Sequence, residues 1–287
     1  MRVTLLGTGS PLPSLKRASS GYLVEIGGDV VLIDHGPGAF QRLLQTGKRA
    51  TDVTHAFLSH LHFDHCADLI RLFHHRWDAG GPQTPPMAIY GPDGTQEFIE
   101  RVFGAEGAFS RDLTARTRHP LSTGIYCERG GTLPRPWPDT RATDLVGPGV
   151  VEFDGWRIVR CEVPHVQPYL ESFAYCVEAG GKKFAYTSDV NLTLTDVPPD
   201  LRELVRGADL LVHYLNAFAT EDRMPGGLAG PRFVARLARD AGIKTLVTTH
   251  HGPWIDTSEV RERVLAEIGG LYPGKVIWGE DLMSFEL

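Results

Sequence analysis

Three imidazoles and a carboxylate fall within six consecutive positions of this chain, in the run Ser59-His60-Leu61-His62-Phe63-Asp64-His65. Imidazole nitrogen and carboxylate oxygen are borderline-to-hard donors that suit zinc, with manganese or iron also compatible. On extended backbone, residues two apart face the same side. His60 and His62 therefore converge on one point, and the turn that follows swings Asp64 and His65 toward a second. A polar loop does not account for this density, so the run predicts a metal centre. Two divalent ions about 3.5–4 Å apart lower the pKa of a bridging water toward neutrality and polarise the oxygen of a phosphoryl, sulfuryl or acyl group. The expected chemistry is hydrolysis by a metal-bridging hydroxide. Cys66, directly after the cluster, reads as a small buried residue opening a helix rather than a ligand. Together with Cys127, Cys161 and Cys176 it forms no C-x-x-C pair, so free thiols are expected.

The elements that must position this cluster alternate. Residues 3–6, 22–26 and 30–33 read as strands, a Gly/Pro turn follows at 35–38, and a helix at 38–44 precedes a strand at 56–59 that delivers the chain into His60. Apolar spacing over 66–73 is helical, which places the histidines at a strand-to-helix junction. Strands are expected near 87–90 and at 156–162, 173–177, 184–187, 209–212, 245–248 and 276–278, with helices at 95–103, 232–241 and 259–268. Alternating strands and helices in both halves imply an α/β sandwich with buried sheets. No linker divides the 287 residues, so one domain over 1–287 is expected, interrupted by a loop-rich insertion at about 104–149.

Twenty-nine Lys and Arg stand against 35 Asp and Glu, a formal net charge of −6. This repels polyphosphates at long range, so a nucleic-acid partner starts at a disadvantage and a small-molecule ester is the expected substrate. The apolar run at the N-terminus is too short for a signal peptide or a membrane span, and a cytoplasmic protein without membrane attachment is expected. Homodimer formation stays open.

His60-x-His62-x-Asp64-His65 resembles the hallmark of the metallo-β-lactamase superfamily, and further landmarks extend the likeness over nearly the whole chain. The opening Leu5-Leu6-Gly7-Thr8-Gly9-Ser10-Pro11, then Arg17, then Val31-Leu32-Ile33-Asp34-His35-Gly36, is similar to the ribonuclease Z and arylsulfatase-like branch. The resemblance implies an αββα four-layer sandwich and a dinuclear centre, most simply of zinc. It implies that His165 of Val163-Pro164-His165 completes a first site with His60 and His62. Asp189 would bridge the metals, His250 would close a second site beside Asp64 and His65, and Asp34 would brace the site without binding metal. Ser188 stands where glycine is usual, and Val190 where threonine is usual. His251 is a rival to His250, but a one-residue slip would turn the side chain to the other face. His55, His74, His75 and His119 fit no motif.

Two departures bear on substrate. The strand 208–213 resembles one that ends His-Glu-Ala-Thr in ribonuclease Z, but Tyr214 stands where the glutamate belongs. The His-Ser-Thr motif should fall near Leu228-Ala229-Gly230, where no histidine occurs. These losses argue against precursor tRNA cleavage and for small phosphate or sulfate esters, including cyclic phosphodiesters. Lactonase or β-lactamase-type acyl hydrolysis, ribonuclease Z-like RNA processing and a metal-stabilised binding protein without turnover are the alternatives. Asp64 would orient the nucleophile and His213 could protonate the leaving group; the alternative for His213 is a buried histidine bonded to backbone. Trp77, Phe109, Trp137, Tyr169 and Trp254 are candidate pocket aromatics, and Arg111, Arg116 and Arg118 a candidate anion site.

Overall fold

The N-terminal β-branched and aromatic runs pair as strands because glycine turns let them reverse at once. In a computed structural model, which describes residues 1–191, 197–215 and 230–287, the first half contains β1 (Arg2–Gly7), β2 (Gly21–Ile26), β3 (Asp29–His35), α1 (Ala39–Gln45), β4 (His55–Phe57), α2 (Phe63–Ala79), β5 (Ala88–Gly91), α3 (Thr95–Phe103), α4 (Ser110–Arg118), α5 (Pro120–Glu128) and β6 (Thr143–Asp144). The second half continues with β7 (Gly149–Phe153), β8 (Trp156–Glu162), β9 (Phe173–Ala179), β10 (Lys182–Tyr186), α6 (Pro199–Val205), β11 (Leu210–Tyr214), α7 (Pro231–Asp240), β12 (Thr245–Thr249), α8 (Ser258–Gly269), β13 (Lys275–Trp278) and β14 (Ser284–Glu286). The strands form two sheets, ordered β14-β1-β2-β3-β4-β5-β6 and β13-β12-β11-β10-β9-β8-β7.

Strand parity produces the layers. On β3, Val31 and Ile33 enter a core shared by the two sheets, while Val30 and Leu32 pack outward against α1 and α2. The second sheet divides the same way: Phe184, Tyr186, Val212 and Val247 point inward, and Ala185, Leu211 and Leu246 face α6, α7 and α8. Both faces are covered, so these strands are apolar throughout rather than alternating. The result is helices, sheet, sheet, helices: the four-layer sandwich expected from the sequence. Each fully buried Leu or Phe in these cores contributes on the order of 1.5–3 kcal/mol.

The 104–149 stretch departs from its loop-rich reading. It carries the nine-residue helices α4 and α5, and β6 pairs in parallel with β5, which ties the stretch to the first sheet. Its Pro, Gly and Arg content masks a helical period that holds few apolar residues; in α4 only Leu113 is buried. Among the described residues no helix is long and apolar enough to cross a membrane.

Candidate metal centre

The site lies where both sheets end. β4 runs into Ser59 and His60, and His62 occupies the N-cap of α2, so Asp64 lies in the first helical turn, where the helix dipole favours negative charge. The turn after β3 packs directly over this point. A Cβ on Gly36 would sit 1.8 Å from the Asp64 carbonyl oxygen, so only glycine permits the approach. From the second sheet, the loop after β8 brings His165, the end of β10 brings Asp189, and the end of β12 brings His250.

These side chains form two groups whose donor atoms lie within 4.8 Å of one another in each: His60, His62 and His165, and Asp64, His65, Asp189 and His250. In the first group, His62 Nδ1 lies 3.0 Å from His60 Nε2 and 3.2 Å from His165 Nε2. In the second, His250 Nε2 lies 3.3 Å from Asp64 Oδ2 and 3.1 Å from Asp189 Oδ2, and His65 Nε2 lies 3.4 and 3.5 Å from the same two oxygens. The groups adjoin through His60 and His65, whose ring centroids are 4.0 Å apart.

Charge differs between them. Burial, reinforced by the neighbouring His65, holds the His60 imidazole well below its ordinary pKa, and burial also lowers His62 and His165. In the second group, burial opposes charge, but the carboxylates prevail. Asp189 raises His250 to about 9, and Asp189 and Asp34 raise His65 well above its usual value. Burial likewise opposes ionisation of Asp64 and Asp189, and His250 and His65 outweigh it, leaving both carboxyls below the ordinary range.

Asp34 organises this half. Its Oδ2 lies 2.7 Å from His65 Nδ1 and accepts from Ser59 Oγ at 2.7 Å and Tyr186 Oη at 2.9 Å, while Oδ1 accepts the Ser59 amide. His65 thus commits Nδ1 to Asp34 and turns toward Asp64 and Asp189 an Nε2 that is buried and without a hydrogen-bond partner. An imidazole nitrogen without a hydrogen-bond partner facing two carboxylates, beside a set of three histidines, is an arrangement that fits divalent ions, which would displace its proton. Ser188 adds a support that sequence reasoning missed: its hydroxyl donates to Ser59 Oγ at 2.8 Å, and Ser59 Oγ in turn lies 3.0 Å from His60 Nδ1. Asp34, Ser188 and His250 have φ of 55°, 57° and 65°, a left-handed backbone rare for residues other than glycine. The signal for Ser188 was its place in a glycine position.

The opening glycine turn anchors the segment that carries His250. Arg17 is buried, donates to Asp256 through Nε at 3.0 Å and Nη2 at 2.8 Å, and reaches Thr8 Oγ1 at 2.6 Å. The Thr8 carbonyl accepts the His251 amide at 2.8 Å. His251 stacks on Trp278 with centroids 3.8 Å apart, away from the ligands, whereas His250 enters the second group.

Other candidates separate from the centre. His213 shares strand parity with the outward-facing Leu211, and its Nδ1 lies 2.5 Å from the Tyr214 carbonyl oxygen. Burial lowers it to about 4, and among the described residues it contacts neither ligand group. Of the two readings of His213, this arrangement matches the buried histidine bonded to backbone and not the leaving-group acid; the Tyr214 ring, not His213, approaches the site, 5.0 Å from His250. Leu228 and Ala229 lie outside the described residues. Trp77 and Trp137 line a different cavity, Phe109 stacks on Phe103, and Tyr169 and Trp254 are exposed in the loops after His165 and His250. Arg116 is engaged by Asp78 and Asp112, so the expected arginine site on α4 is not assembled around it. Cys66 is buried, bonds the His62 carbonyl and is pushed up to about 12 by burial, as a structural thiol would be.

Comparison with known proteins gives a consistent answer. A family model described as a β-lactamase superfamily domain matches residues 30–251. The chain is similar to ribonuclease Z of Mycobacterium bovis, 30% identical with 100% of this chain and 98% of the relative covered. It is also similar to ribonuclease Z of Mycolicibacterium paratuberculosis, 32% identical with 98% and 96% covered. Among solved structures, the metallo-β-lactamase fold protein YhfI from Bacillus subtilis superposes with a TM-score of 0.73 at 20% identity, covering 100% of this chain and 98% of that one. The full-length ribonuclease Z relatives overturn the expectation that nucleic acid is disfavoured as a partner. Net charge is a sum over the whole surface, whereas a polyanion responds to local charge and to ions in the site.

Proposed function

This chain belongs to the metallo-β-lactamase superfamily and is a hydrolase of ribonuclease Z-like ancestry, and from that premise we propose that it hydrolyses phosphodiester bonds in RNA, with zinc as its metal. The observation that supports this most is the pair of adjoining ligand groups, set at the sheet ends of a chain aligned from end to end with ribonucleases. His60, His62 and His165 would hold one ion, and Asp64, His65, Asp189 and His250 the other. Bound divalent ions supply Lewis-acid charge to a phosphoryl oxygen and acidify water at neutral pH. The protein's own part is positional. Asp64, kept ionised, accepts a hydrogen bond from the attacking water and fixes its direction, and Asp34 holds His65 in one tautomer and orientation.

A second reading is favoured by Tyr214. It stands where the resemblance places a glutamate, and its ring packs beside His250. Without that acid, esters with good leaving groups need less help, so small activated phosphate or sulfate esters are also expected substrates. The test compares kcat/KM on a precursor tRNA, an activated phosphodiester, an aryl sulfate and a lactone at matched metal occupancy. Cleavage of both phosphodiesters is expected. Activity confined to the lactone would overturn the proposal.

A further inference from the structure

The far end of α2 opens into a cavity of about 290 Å³, formed between that helix and the 126–139 segment. Roughly 20 Å of helix separates Asp64 from Trp77 on its wall, so the cavity is remote from the metal centre. Phe73, Met87 and Trp137 give it apolar walls, yet Arg76 and Arg135 also line it. Arg76 is 7% exposed, donates through Nε to the Val53 carbonyl at 3.1 Å, and has no carboxylate partner among the described residues. Burial lowers its pKa. Arg135 is 6% exposed, with its guanidinium 4.1 Å from the Trp77 ring and 4.9 Å from the Tyr126 ring. It reaches Asp78 at 3.1 Å, but its buried Nε has no partner.

A buried cation without counter-charge is costly, and a residue that only filled this space would better be apolar. Asp139 also lines the cavity, but its carboxylate is taken up by Arg141. Asp78 is shared by Arg116 and Arg135, which leaves Arg76 uncompensated. We propose that the cavity binds a small planar monocarboxylate, its anionic end held by Arg76 and its ring seated among Phe73, Met87 and Trp137. One uncompensated guanidinium balances one negative charge. A phosphate dianion would leave oxygens without donors against apolar walls.

The test titrates the full-length, metal-loaded protein with sodium benzoate, following tryptophan fluorescence and Tm, with benzyl alcohol and inorganic phosphate as controls. Benzoate is expected to give a saturable fluorescence change and a raised Tm, with both controls at least about tenfold weaker. Arg76→Met removes an uncompensated charge but also the hydrogen bond to the Val53 carbonyl, two opposing effects, so the Tm of the free protein should move little, and the substitution should abolish the benzoate-induced shift. Arg76→Lys, which keeps the charge but loses the fork, should weaken benzoate at least about tenfold. Hydrolytic activity should be unchanged in both variants. No saturable response up to about 10 mM benzoate would overturn the proposal. So would equal binding of either control, or benzoate binding that survives both substitutions, as it would if benzoate occupied the metal centre.

Discussion

The three-histidine group and the Asp64 group grow from the same strand-to-helix junction, yet they are built to different standards. His62 and His165 are only half-buried, and all three imidazoles of the first group are held toward their neutral form. The second group is buried throughout, contains two carboxylates, and is locked from behind by Asp34. Neutral, partly solvated nitrogens hold a cation by coordination alone, whereas the second group adds opposite charge in a low-dielectric setting. The second group should therefore bind its ion more tightly, and the first should fill last and empty first.

The largest effect is expected where both functions meet. Asp64→Ala should lower turnover at least about 100-fold with the fold intact by circular dichroism, because it removes a ligand and the group that orients water. Near-normal turnover in a metal-replete variant would contradict both roles of Asp64. Next, His165→Ala should remove one ion and leave the other, read as loss of about half the bound metal on desalting. Loss of all metal would mean that the two groups fill only together. Asp34→Asn touches neither ion but places an amide where four donors converge, and should weaken the second group about 10–100-fold while sparing the first. Competition with a graded chelator reads the two affinities separately, and equal weakening of both would show that Asp34 does not act through His65.

The smallest expected effect lies outside the ligands, at the clamp that seats His250. Arg17 holds the Asp256 carboxyl below its usual pKa. Such a lowered folded pKa gives stability that is fully present above the ordinary aspartate value of about 3.9 and lost as pH falls through the folded value. Asp256→Asn should cost about 1.5–3 kcal/mol at neutral pH, with the difference from the parent vanishing in acid. Denaturant melts at several pH values would show it, and a constant difference down to low pH would exclude the ion pair as its source.

The same contrast explains what was legible in the sequence. His60, His62, Asp64 and His65 announce themselves because four side chains of metal-binding type share one junction, and His250 is separable from His251 because strand register fixes which side chain turns inward. His213 kept two readings for the complementary reason: it occupies the matching strand end, and only its parity with Leu211, which carries it to the helical face, favours the backbone-bonded one. α4 and α5 escaped notice because their sequences are polar or proline-started and bury few residues. The supports were least visible. That Gly36 must be glycine, or that Ser188 adopts a left-handed backbone beneath His60, follows from close approaches between segments distant in sequence. Net charge misled about nucleic acid because it carries no information on where charge lies.

On this reading the two unlike groups together form a dinuclear hydrolytic centre. Its most direct test is elemental analysis of protein reconstituted with zinc and freed of excess metal, with activity on an activated phosphodiester measured on the same samples. About two ions per chain are expected, with activity rising chiefly as the second equivalent enters the three-histidine group. Trace metal after reconstitution, or full activity with one ion bound, would contradict it.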